Sequence, residues 1–88
     1  MTEALNDTQF RAVAPTVDIR RVHHITLVVR DLDLARRFYE RFLGLQPIAR
    51  PDYDFSGAWY SCGDLELHLL VAEEHPDPSR RHIAFEVS

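Results

Sequence analysis

The feature that most narrows the possible folds is a change of hydrophobic period at Asp31. Before it, Val22 to Val29 (VHHITLVV) is rich in β-branched residues and has the length of a strand. After it, Leu34, Ala35, Phe38, Tyr39, Phe42 and Leu43 recur at three- and four-residue spacing, with Arg36, Arg37, Glu40 and Arg41 opposite them. That pattern predicts an amphipathic helix that packs through one face. Asp31 stands where an N-cap accepts hydrogen bonds from the free amides of the first turn, and Asp33 adds negative charge at the positive end of the helix dipole. Gly44 occupies the place of a left-handed residue just past the helix end, and Pro47 blocks continuation.

The rest of the chain reads as strands. Leu45 to Arg50 is a second strand, placed at an edge by Pro47, which cannot donate to a ladder. Pro51 to Ser56 is a turn-rich loop. Gly57 to Cys62 (GAWYSC) and Leu65 to Ala72 (LELHLLVA) are third and fourth strands, joined into a hairpin by Gly63-Asp64. Residues 73–81 contain Pro76 and Pro78 and read as a linker before a last strand, His82 to Val87. Met1 to Arg20 lacks sustained periodicity and reads as a lead-in with room for one short helical turn. The expected class is α+β: a βαβββ module over 21–72, a linker over 73–81 and one further strand over 82–88. His24, Ile25 and Val29 recur as His82, Ile83 and Val87, which looks like the start of an internal repeat.

At 88 residues the chain has room for one domain whose core is marginal, so a metal or self-association is an expected support. Cys62 is the single cysteine, so no disulfide forms within the chain, and a reducing, cytoplasmic setting is expected. A net charge of -4 gives no general attraction to a phosphate backbone, which argues against nucleic acid as a partner. No apolar run approaches the roughly 20 residues that span a bilayer, and the N-terminus lacks a signal-peptide core.

Alternation along the strands then sorts the side chains by face. His24, Thr26 and Val28 share one face of the first strand, and Ile25, Leu27 and Val29 suit the helix. In the fourth strand Leu65, Leu67, Leu69 and Val71 form the apolar set and leave Glu66 and His68 on the other face. In the last strand His82, Ala84 and Glu86 oppose Ile83, Phe85 and Val87. Three strands thus place imidazole or carboxylate groups away from the helix. If they curve into one sheet, His24, Glu66 and His82 meet in a pocket whose nitrogen and oxygen donors suit Fe(II), Zn, Mn, Ni or Co. The plainer reading of each is a solvated sheet face. His68 and Glu86 are read as solvated or as supporting the ligands, His23 as packed toward the helix, and His75 as exposed. Trp59, Tyr60 and Tyr53 are pocket-lining candidates with the core as alternative. Cys62 has no neighbouring base in sequence and is read as structural.

The block HHITLVVRDLDLARRFYERFLGL, followed by GAWYSCGDLELHLL and RHIAFEV, resembles the vicinal oxygen chelate superfamily, which includes glyoxalase I, extradiol dioxygenases, methylmalonyl-CoA epimerase and the fosfomycin and bleomycin resistance proteins. The resemblance covers about Val22 to Val87. It implies that two βαβββ modules pair into a cup around a divalent metal, with His24 and Glu66 as ligands from the first module and His82 as the first ligand of the second. Glu66 would also be the catalytic residue. It implies a metal that binds the vicinal oxygens of a small substrate and either stabilises an enediolate or activates dioxygen. The alternative it carries is a metal-free protein of the bleomycin resistance type that sequesters a small molecule. The second module's helix, later strands and last carboxylate do not occur in these 88 residues, which implies a fragment or a homodimer in which one copy completes the other.

Overall fold

The computed structural model describes residues 6–12, 14, 16–72 and 80–88. Its elements are α1 (Asp7–Ala12), β1 (His24–Val29), α2 (Leu32–Arg36, continued by a π-helical stretch, Arg37–Phe42), β2 (Gln46–Ile48), β3 (Gly57–Cys62) and β4 (Leu65–Val71). This is the expected βαβββ module. The strands form one mixed sheet in the order β1-β4-β3-β2. β1 lies parallel to β4, a pairing that needs a crossover, and α2 supplies it. The remaining pairs are antiparallel. Pro47 does lie in the edge strand β2.

Local chemistry explains each boundary. Asn6 and Gln9 cap α1 reciprocally: the Gln9 amide donates to Asn6 Oδ1 at 2.9 Å and the Asn6 amide to Gln9 Oε1 at 2.8 Å. Asp31 Oδ1 accepts from the Leu34 amide at 3.0 Å, as an N-cap should. Gly44 ends the helix with φ of 71°, and Gly63 opens the hairpin turn with φ of 60°, which suits the turn type that puts glycine first.

The sheet's helix-covered face holds the core. Tyr60, Leu67 and Leu69 are fully buried, and Ile25, Leu27, Val29, Leu32, Ala35, Tyr39 and Leu45 pack around them. The expectation that the whole apolar set of α2 is buried needs correction. Leu34, Phe38 and Phe42 face outward, Phe42 at 78% exposure, while Ala35 and Tyr39 face the sheet. At about 100° per residue the six apolar positions span about half the helix circumference, more than one sheet face covers, and the π-helical turn, where the Leu43 amide bonds to Phe38 O at 2.9 Å, widens the last part further. Phe38 and Phe42 stack on one another at 5.4 Å. Replacing Phe42 by Ser is accordingly expected to change the unfolding free energy by no more than about 0.5 kcal/mol in chemical denaturation.

One polar tie fastens helix to sheet. Tyr60 Oη donates to Glu40 Oε2 at 2.8 Å, and Arg36 Nε donates to the same oxygen at 2.9 Å. The Arg36 guanidinium, and after it the Tyr60 hydroxyl, hold Glu40 below the usual carboxylate range. Burial, and after it the bond to Glu40, push the Tyr60 phenol up to about 12. The folded state thus favours the neutral phenol, so its contribution is complete below the unfolded pKa of about 10 and is lost as pH rises through about 12. Tyr60→Phe is expected to remove that alkaline fall from a plot of Tm against pH.

The expected last strand does not form. Residues 81–88 have no ladder partner among the described residues and are exposed throughout. A strand exists only beside another, and the free edge of β1 is not taken by this segment. The linker over 73–81 lies mostly outside the described residues, as does His75.

Candidate functional site

The sheet face turned away from α2 collects the polar side chains of the three longest strands. Parallel pairing sets His24 opposite Glu66 and Thr26 opposite His68. Antiparallel pairing sets Trp59 opposite His68 and Ser61 opposite Glu66. Register alone thus gathers these groups, because paired residues share a face.

Three rings stack across three strands. Trp59 lies on His68 with centroids 3.9 Å apart and planes 3° from parallel, and His68 lies on His24 at 4.3 Å and 15°. His68 is only 7% exposed and meets its polar need through Glu66, with Nε2 2.9 Å from Oε1. The ring donates there, since an ionised carboxylate only accepts. That bond, aided by the electrostatic influence of the neighbouring imidazoles, holds Glu66 below the usual carboxylate range against the opposing effect of burial. Glu66 is therefore an acceptor and anion at neutral pH and a poor proton donor. His23 meets His24 edge-on at 5.2 Å, with their Nδ1 atoms 2.9 Å apart, so the two nitrogens share a single proton.

These groups border a cavity of about 290 Å³ that Tyr53, Phe55 and Trp59 also line. A larger groove of about 840 Å³ runs along Leu34, Phe38 and Phe42, but no histidine lines it.

His24 and Glu66 stand together as the sequence suggests. His82 does not join them. It lines a separate cavity with Ile25, Leu27, Tyr39 and Phe85, and its Nδ1 donates to Arg80 O at 2.9 Å. Among the described residues no three His, Cys, Asp or Glu side chains gather as a metal-binding group. His68 does not substitute for the third donor. Stacked imidazoles direct their in-plane lone pairs side by side, and the Nε2 of His68 is already committed to Glu66. Among the described residues His24 and Glu66 are thus the two site candidates that the fold brings together.

Sequence reasoning undervalued two histidines. His68 is read from the sequence as solvated or as supporting the candidate ligands; it is buried at the centre of the stack and bonds Glu66, and its i, i+2 spacing from Glu66 on a strand is the available signal. His23 was expected to pack toward the helix, but it precedes β1 and leans on His24. Tyr60 proves to be core, whereas Tyr53 and Trp59 line the cavity.

A βαβββ module with a histidine and a glutamate in register on its open face defines a class of protein, and comparison identifies it. The model of the Glyoxalase/Bleomycin resistance protein/Dioxygenase superfamily matches residues 21–88, and the chain belongs to that superfamily. It is similar to Glyoxylase I 4 of Arabidopsis thaliana, 32% identical over 74 residues, covering 74% of this chain and 42% of that protein. It is similar also to mitochondrial methylmalonyl-CoA epimerase of Bos taurus, 32% identical over 73 residues, covering 80% of this chain and 39% of that protein. Among solved structures, the fosfomycin resistance protein FosX of Mesorhizobium loti shares the fold, with a TM-score of 0.67 at 23% identity, covering 80% of this chain and 59% of that one. The chain thus spans less than half the length of both curated relatives.

Proposed function

We propose that this chain supplies one half of a metal-dependent cup that acts on a small molecule with vicinal oxygens, in the manner of a glyoxalase-type lyase or isomerase. The observation that carries this is the in-register pairing of His24 with Glu66 on the open face of the sheet. The names of the two curated relatives, a glyoxalase and an epimerase, favour this branch over the dioxygenases. His82 is the proposed third ligand, reached when residues 82–88 pair as a strand of a second module. That module is either part of a longer polypeptide or a second copy in a homodimer, which would also cover the free edge of β1. A divalent ion, one of Fe, Zn, Ni, Mn or Co, would supply Lewis acidity there. The chain's own residues hold Glu66 ionised through His68 and orient His24 through His23. The single cysteine fits a reducing, cytoplasmic setting, and among the described residues no helix is long and apolar enough to cross a membrane.

The test is calorimetric titration of the purified chain with Zn(II) and Co(II), with sedimentation in parallel. His24→Ala and Glu66→Gln are each expected to weaken binding by about 100-fold, given that even groups supporting a ligand are worth roughly 10- to 100-fold. His82→Ala is expected to weaken it as much in the dimer. Absence of metal binding, or variants that bind as the parent does, would overturn the reading. The second reading is metal-free sequestration of a small molecule, favoured by the fact that Glu66 and His24 already have partners within the protein and border an aromatic-walled cavity. Ligand binding that persists in chelator while no metal binds would select it.

A further inference from the structure

Arg50 is a cation directed at a loop. It follows β2 and folds back over Gly57, where a Cβ would come within 3.0 Å of Nη2 and 3.1 Å of Nε. Its Nη2 donates to the Phe55 carbonyl at 2.8 Å, and its guanidinium carbon lies 4.9 Å from the Tyr53 ring centroid and 5.0 Å from that of Phe55. Those two rings stack at 4.9 Å and 10°. Nε is shut off from solvent without a hydrogen-bond partner, and no carboxylate pairs with Arg50 among the described residues. A half-buried guanidinium left without an anion and gripped by two π faces stabilises whatever it grips. What it grips is an aromatic pair that lines the same cavity as His24 and Glu66.

We infer that Arg50 is a positioning residue that fixes Tyr53 and Phe55 as the specificity wall of the cup, and that the ligand lays a planar, apolar group of about one ring against that wall. The cavity's volume of about 290 Å³ is near twice the roughly 150 Å³ that takes up benzene, which leaves room for a ring and a short oxygen-bearing head. Among the described residues no Arg or Lys lines it and Glu66 does, so an anionic tail is disfavoured. The polar end is set by His24 and Glu66, and for that end alone the inference rests on the cup reading above. The ring end depends on Tyr53, Phe55 and Trp59.

Trp59 is the chain's single tryptophan, so its indole N–H resonance reports on the wall without a label. Titration with 2-hydroxyacetophenone and with hydroxyacetone, which share the vicinal oxygens and differ in the ring, is expected to show about tenfold tighter binding of the aryl compound. Arg50→Met is expected to narrow that ratio to about threefold or less and to leave hydroxyacetone binding unchanged, whereas a merely structural role would weaken both alike. Tyr53→Leu, which leaves Arg50 in place, must narrow the ratio too and serves if Arg50→Met does not fold. Equal affinities for the two probes, binding of neither, or equal weakening of both in the variants overturns the inference. Repeating the titration in chelator separates the two readings. An aryl preference without metal binding sinks the metal site and keeps the wall, and metal binding without a preference does the reverse.

Discussion

Leu67→Ala is expected to lower Tm by roughly 10–25 °C in a circular dichroism melt, corresponding to a loss of about 2–5 kcal/mol. Leu67 is fully buried in β4, between Ile25 of β1 and Tyr60 of β3. Truncation there leaves a hole in a sheet centre that backbone hydrogen bonds prevent from collapsing. The size of the effect follows from the core's smallness. Tyr60, Leu67 and Leu69 are its only fully buried apolar side chains among the described residues. A domain of this length has about 4–13 kcal/mol of stability in all, and one with so small a core belongs at the low end. A loss below about 1 kcal/mol would show that the sheet is held by something other than this cluster.

Gly57→Ala is expected to cost about 2–3 kcal/mol, more than Gly63→Ala at about 1 kcal/mol, although only Gly63 has a left-handed φ. The contrast separates two uses of glycine. A Cβ at Gly63 meets open space and suffers only backbone strain. A Cβ at Gly57 would fall on the carbonyl oxygen of Leu69 in the neighbouring strand and crowd the Arg50 guanidinium. The first neighbour is backbone and cannot yield without disturbing the β3-β4 ladder, so denaturant midpoints should rank the two variants in that order. If Gly63→Ala proves the more damaging, turn strain outweighs the inter-strand contact.

The helix was legible because its signals are local. Asp31 and Gly44 mark its ends, and their hydrogen bonds and dihedral angles need no distant partner. The hairpin at Gly63-Asp64 is legible for the same reason. The two-face reading of β1 and β4 also held, since alternation is intrinsic to extended backbone, and it placed His24 and Glu66 on one face before any pairing was known. No strand forms at His82–Val87 because extended sequence preference does not make a strand without a neighbour, and residues 81–88 have none among the described residues. Leu34, Phe38 and Phe42 were misplaced because three- and four-residue spacing marks an apolar band without showing how much of it a sheet covers.

By itself the sequence determined the order of elements and the face on which each strand side chain lies, since both depend on neighbours a few residues apart. Only the tertiary structure decided that β1 and β4 run parallel in a register that sets His24 against Glu66, that His68 is buried between Trp59 and His24, and that Arg50 grips Tyr53 and Phe55. Those are contacts between strands and loops far apart in the chain. Their geometry is fixed by ladder hydrogen bonds and ring packing across the sheet, which no local period encodes.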